Sequence, residues 1–482
     1  MINLSFFVGL PVSPESLRED GMQKTMDRLE MAGVNTIIFN AQNGEGAHYR
    51  YHEDQYAFTR LKPFSGNPKD YEEDLLGKVC EEAARHHMDT YSHTMLYEIG
   101  FPGFWPAGKG KKTISEQLKN FTDCAQIDLY GRRDYRACLN HPDYRQYYFS
   151  SVRDQLLHYP IKGINFNLER NDPISHVLIG QYASNINYRK PQAPICFCPH
   201  CMEKARHRGI NLDRAKQGWN ELVEFSERSW RQARKQQDPF AGEGRQLGDR
   251  YEDTPPADGY FITFLRLLSR YPEILQWNQM WYDSVYDFLA ELYGVCKMAD
   301  PDAKLGLHIW HHRALSVFER VGYDYERLRK VCDWIKPKMD PVCGGFRHQQ
   351  GAKRFHQALA YDLPIERFYD AWNTMLGFIN EPCFQKLPEQ GMTMDYLYKD
   401  VAWSVAGVHD EIPIYPGIGL DMPTPARMTE PEDVMRELET IYRAGAKGVV
   451  LSRALGEMRD CNLIAAGKAI AEINQMMKKE TR

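Results

Sequence analysis

Along all 482 residues, short β-branched and apolar runs alternate with stretches whose apolar positions recur every three or four residues. Runs of the first kind read as buried strands and those of the second as amphipathic helices. Strands are expected at Asn3–Val8, Asn35–Asn40, Asp89–Met95, Gly163–Leu168, Lys304–Trp310, Trp334–Met339, Ile412–Gly417 and Gly448–Ser452. The clearest helices are expected at Asp20–Met31, Tyr71–His87, Tyr144–His158, Met280–Met298, Pro431–Ala444 and Leu463–Met477. Strand–helix alternation makes a parallel sheet with helical crossovers, and eight strands is the number that closes a barrel. The predicted fold is therefore α/β, a single (β/α)8 TIM barrel over residues 1–482.

Two insertions interrupt this rhythm. One covers residues 101–141 after the third strand, and the other residues 170–271 after the fourth. The second holds a helical stretch at Arg214–Lys235 and a segment rich in Gly, Pro, Asp and Arg at Gln236–Gly259, which reads as a surface excursion.

Barrel enzymes build their sites where the strands end, so the residues just past each strand are the ones to inspect. The fourth strand, Gly-Ile-Asn-Phe-Asn-Leu-Glu, is the most pointed. Its alternation turns Asn165, Asn167 and Glu169 toward the barrel axis and Ile164, Phe166 and Leu168 toward the helices. A carboxyl there suits proton donation to a leaving oxygen, unless Glu169 merely pairs with Arg170 at the barrel mouth. Cleavage of a glycosidic bond by the common routes needs a second carboxylate, and Asp421 and Glu457, after strands seven and eight, are the candidates. Asp340, after strand six, competes with them or binds sugar hydroxyls. His93, His308, Trp310 and Arg453 complete the polar and aromatic set expected to hold substrate. The group His308, His311 and His312 also admits a metal reading, although none of its spacings is the i, i+4 pair of a helical zinc motif.

Eleven cysteines in a long chain, three of them as Cys196-Phe-Cys198-Pro-His-Cys201, favour metal binding over a disulfide framework. With Cys138 as a fourth ligand, the set would close a tetrahedral zinc site with no open position, a structural staple between the two insertions. No organic cofactor is expected. The first residues lack a basic leader and a cleavage signal, which together with the cysteine usage predicts a cytoplasmic protein. A net charge of −5 gives no general attraction to nucleic acid or an anionic membrane, and no run reaches the length of a membrane span.

Two motifs carry a family resemblance. Ala-Cys138-Leu-Asn-His-Pro-Asp-Tyr-Arg resembles the Cys-x-Asn-Ser-Pro-x-Tyr-Arg segment of family 42 β-galactosidases, and Cys196, Cys198 and Cys201 resemble the cysteine run that follows strand four there. The resemblance implies a clan A glycoside hydrolase-like barrel, zinc on the four thiols, a carbohydrate substrate, an oligomer, and Glu169 as acid/base. The chain departs from that pattern in two places. Leu168 stands directly before Glu169 where clan A has Asn, with Asn167 one residue earlier, and strand seven offers Asp421 in place of Glu. As a whole the chain is more similar to uncharacterised bacterial barrel proteins of the glycoside hydrolase kind. The expectation is thus a glycosidase using Glu169 and a carboxylate from strand seven or eight. Two alternatives stay open: a metal-dependent sugar isomerase or lyase built on His93 and His308, and a non-catalytic carbohydrate-binding barrel.

Overall fold

The computed structural model describes residues 5–43, 46–65, 67–95, 121–168, 172–179, 195–237, 256–310, 315–342, 344–421 and 427–480. Eight parallel strands surround one axis: β1 Phe7–Val12, β2 Thr36–Asn43, β3 Asp89–Met95, β4 Gly163–Leu168, β5 Lys304–Ile309, β6 Trp334–Pro337, β7 Gly417–Gly419 and β8 Gly448–Ser452. Each pairs in parallel with its neighbour from β7 through β8 and β1 round to β6. Parallel bridges Ile335–Ile414 and Lys338–Gly417 join β6 to β7 and close the ring. The fold is a (β/α)8 barrel.

Two strands differ from their expected bounds for identifiable reasons. The first strand was expected to end at Val8, yet β1 runs on through Gly9 and Pro11. An added Cβ on Gly9 would lie 3.0 Å from both Ile38 and Phe7, so glycine lets the lumen side chains close together here. The seventh strand was expected at Ile412–Gly417 and is found only at Gly417–Gly419. Pro413 and Pro416 carry no N–H, so this stretch makes isolated bridges in place of a continuous ladder. The first expected helix begins two residues late, at Met22, because Gly21 takes φ 77° and ends a separate preceding helix, Pro14–Asp20.

The lumen is filled in two layers, and the pleat decides which residue enters which. At the N-terminal end of the strands, Phe7, Ile38, Tyr91, Trp334, Tyr415 and Val450 form a separate apolar cluster. Phe7 stacks on Tyr415 at 4.0 Å between centroids, and Tyr91 meets Trp334 edge-on at 5.7 Å. Gly306 makes room for this layer, since a Cβ there would lie 2.0 Å from the Trp334 ring. Two residues further along the same strands come Asn40, His93, Lys336 and Ser452, with Asn165 and His308 facing them from β4 and β5. All six line a cavity. The intervening residues Ile164, Phe166, Leu305 and Leu307 point outward into the main core, under the helices.

Between β3 and β4 the described chain forms a small antiparallel sheet, Ala125–Ile127 with Arg133–Ala137, followed by the helix Pro142–His158. No helix among the described residues is long and apolar enough to cross a membrane.

Candidate active site

The cavity at the C-terminal ends of the strands has a volume of about 620 Å³. Its floor is the upper polar layer. His93 Nδ1 meets Asn165 Oδ1 at 2.8 Å, which fixes the imidazole against β4. Asn40 Oδ1, Asn165 Nδ2, Asn167 Oδ1 and Ser452 Oγ are all buried and have no hydrogen-bond partner among the described residues. Four unmatched polar atoms in one cavity cost stability unless a polar ligand engages them.

Charge in the cavity is unevenly matched. Lys336 and Lys338 enter from β6, with Lys338 3.3 Å from the Asp340 carboxylate. Burial, reinforced by the charges of Lys336, Lys338 and His93, holds the His308 imidazole well below its ordinary range, so it is neutral near pH 7. A neutral imidazole donates one hydrogen bond and accepts one, as a sugar hydroxyl does. On the rim Arg453 and Glu457 pair at 2.9 Å. Glu319, almost wholly buried, also faces the cavity from the short helix Val317–Gly322. The wall opposite is the helix Gly345–Leu359, whose Arg347, Gln350, Gly351 and Arg354 recur at the spacing of one helical face.

The structure brings together six of the residues singled out in the sequence: Asn167, His93, His308, Trp310, Arg453 and Glu457 all line the cavity. Glu169 lies outside the described residues, as do His311 and His312. Two expectations are corrected. Asp421 does not line the cavity. Its carboxylate accepts from Arg459 N at 2.9 Å, Arg459 Nε at 2.8 Å and Asn462 Nδ2 at 3.1 Å, so it ties the end of β7 to the start of the helix Asp460–Glu480. Asp340 is also absent from the lining. Its backbone turns to φ 43°, which ends the alternation that carries Lys336 and Lys338 inward, and its carboxylate lies buried beside Lys338.

Sequence periodicity did not single out Lys336, Lys338, Glu319, Arg347 or Arg354. The alternation Trp334, Lys336, Lys338 along β6 was a usable signal, because a lumen buries lysines that an open sheet would expose. The i, i+7 pair Arg347 and Arg354 was another, although a polar helical stripe more often faces solvent.

The cysteines form a second centre, away from the cavity. Sγ atoms of Cys138, Cys196, Cys198 and Cys201 all lie within 4.8 Å of one another, with Cys138 3.5 Å from both Cys198 and Cys201. Four sulfurs around zinc at about 2.3 Å would stand roughly 3.8 Å apart, so the set fits a tetrahedral ion. Hydrogen bonds from Cys138, Cys196 and Cys201 favour the Cys198 thiolate. Hydrogen bonding to Cys196 and burial push Cys138 up, and burial pushes Cys196 up, so further thiolates call for a cation. Asn140 Nδ2 donates to Cys201 Sγ at 3.4 Å, the kind of outer contact that orients a ligand. Cys138 follows the small antiparallel sheet, and Cys198 precedes the helix Pro199–His207, so the cluster joins the segments after β3 and β4. Among the described residues the other groups of three ligand-type side chains are His52, Asp154, His158 and Cys124, His141, Asp143; neither contains His93 or His308.

No protein-family model and no curated sequence matches the chain. Solved structures do. The chain is similar to a polyextremophilic β-galactosidase from the Antarctic haloarchaeon Halorubrum lacusprofundi, with 13% identity and a TM-score of 0.52 over 97% of this chain and 58% of that one. It is similar to β-galactosidase from the psychrophilic Marinomonas ef1, at 8% identity and a TM-score of 0.53 over 98% and 60%. A cold-adapted β-galactosidase from Rahnella sp. R3 follows at 12% identity, TM-score 0.50, over 99% and 56%. The chain thus spans less than two thirds of the length of each of these proteins. At such identities the likeness establishes the barrel alone.

Proposed function

We propose that this protein is a glycoside hydrolase whose active site is the cavity at the C-terminal ends of the strands. The observation that carries the proposal is the concentration there of buried, unmatched amide and hydroxyl groups beside a neutral histidine and Trp310. A sugar supplies matching donors and acceptors through its hydroxyls and an apolar face for an indole. The β-galactosidase barrels to which the chain is similar add support for this substrate class.

In this mechanism Glu169, two residues beyond Asn167 in the sequence, protonates the glycosidic oxygen as the bond to the anomeric carbon breaks. Glu457 is its partner, attacking that carbon or deprotonating the water that does. Asp421 takes no part, because its carboxylate is committed to Arg459 and Asn462. Zinc on Cys138, Cys196, Cys198 and Cys201 would brace the segments that follow β3 and β4. With four protein ligands it offers substrate no position.

The test is a screen of chromogenic glycosides and oligosaccharides, followed by NMR of the first anomer released. Hydrolysis that falls about a thousandfold in Glu457→Gln supports the assignment. Hydrolysis that survives Glu457→Gln and fails in Glu319→Gln transfers the partner role to Glu319. No hydrolysis of any glycoside by folded protein contradicts the proposal.

A further inference from the structure

The chain as a whole is acidic, with a net charge of −5, yet the described lining of its cavity is basic. Lys336, Lys338, Arg347, Arg354 and Arg453 face it against the carboxylates of Glu319 and Glu457. Two of these cations are neutralised nearby, Lys338 by Asp340 at 3.3 Å and Arg453 by Glu457 at 2.9 Å. Arg347 and Arg354 are different. Neither makes an ion pair or side-chain hydrogen bond among the described residues, although both are partly buried. Burial shifts Arg354 downward with no acidic neighbour to offset it.

Their placement is that of a recognition face. Arg347 and Arg354 are seven residues apart on the helix Gly345–Leu359, two turns along one side, with Gln350 and Gly351 between them. A Cβ on Gly351 would meet nothing within 4 Å, so the space between the two arginines is open. Phe346 and Phe355 flank this strip on the cavity wall. Elsewhere on the protein, exposed arginines are commonly paired, as Arg60 is with Asp123 and Arg443 with Glu439. Leaving two guanidinium groups uncompensated in a half-buried cavity is costly unless an anion completes them.

We propose that the helix face Arg347–Gln350–Gly351–Arg354 is a subsite for an anionic substituent on the sugar, so that the substrates of this cavity are acidic glycans. Guanidinium forks bind carboxylate and sulfate through paired, charge-assisted hydrogen bonds, and a basic cavity on an acidic protein draws such ligands in. The inference rests on the carbohydrate reading of the cavity and narrows it to acidic sugars.

Calorimetric titration of the whole protein with monosaccharides tests binding without relying on turnover. The probes are methyl glucuronide, methyl galacturonide, glucose 6-sulfate and glucose 6-phosphate, each set against methyl glucoside. At least one anionic probe should bind about ten- to a hundredfold more tightly than the neutral sugar, and which one does identifies the anion. That ratio should collapse toward one in Arg347→Gln/Arg354→Gln. Gly351→Leu, a change that favours the helix, should weaken the preferred anionic probe by filling the gap. Equal binding of neutral and anionic probes by folded wild-type protein overturns the subsite, as does a preference that persists in the double variant. The underlying hydrolase reading fails separately. Selective anion binding with no hydrolysis of any glycoside leaves the subsite standing, whereas hydrolysis of neutral glycosides without anion preference removes only the subsite.

Discussion

One lumen, built from the same eight strands, ends in two opposite chemistries a single pleat apart. Ile38 and Asn40, Tyr91 and His93, Trp334 and Lys336, and Val450 and Ser452 are neighbours at i, i+2, yet the first of each pair joins an aromatic and aliphatic plug and the second a polar cavity. Within the plug, rings stack or meet edge-on. In the cavity, one buried atom of each of three amides, a hydroxyl and two arginines are left without partners among the described residues. On the proposed function, the contrast separates the residues that hold the barrel closed from those that bind and react. The cysteine cluster and the Asp421 clamp belong with the plug in this respect, because their polar atoms are already engaged.

Substitutions at each end should separate the two roles. Trp334→Ala removes a buried ring from the plug and is expected to cost about 3–5 kcal/mol in urea unfolding. Activity per folded molecule should stay within a few-fold of wild type, and a loss of turnover without a loss of stability would break the division. Glu457→Gln at the cavity rim should do the reverse. Turnover drops about a thousandfold, roughly 4 kcal/mol in barrier, while the unfolding midpoint hardly moves because its pairing with Arg453 is solvent-exposed. Cys198→Ser, or chelation of wild-type protein, should release stoichiometric zinc by elemental analysis. It should also lower stability by about 2.7 kcal/mol for an ion held at a hundred times its Kd, with little change in the chemical step.

The smallest effect is one of pH. Burial lowers His308, and burial lowers His348 to about 4. In the unfolded chain both imidazoles take up protons near pH 6.5, while in the folded protein they resist protonation. Their contribution to stability is therefore complete above pH 6.5 and is lost as pH falls toward the folded values. His348 should cost roughly 1 kcal/mol by pH 5.5, and His308 acts in the same direction, measured as a falling urea midpoint that is flatter in His308→Gln.

Much of this division was legible in the sequence. Strand–helix alternation located eight strands, and the pleat of β4 pointed to Asn165 and Asn167. Legibility failed where a local rule gave way to the closed barrel. The first strand was expected to stop at Val8, before Gly9, though the lumen needs the small residue there. Lys336 and Lys338 lay inside an expected strand without being singled out, and the lumen buries them. Asp340 and Asp421 were reached by extending strands past the point where the chain leaves extended conformation or finds a helix to cap. The stripe Arg347 to Arg354 was not singled out, because periodicity shows that a face is polar without showing what it faces.

The account stands most directly on Glu169. Wild type and Glu169→Gln should be compared on one preparation for sugar binding by calorimetry, unfolding midpoint and turnover of the best glycoside found. The account predicts that the variant folds and binds within a few-fold of wild type while turnover falls by at least about a hundredfold. Full turnover by Glu169→Gln would contradict it.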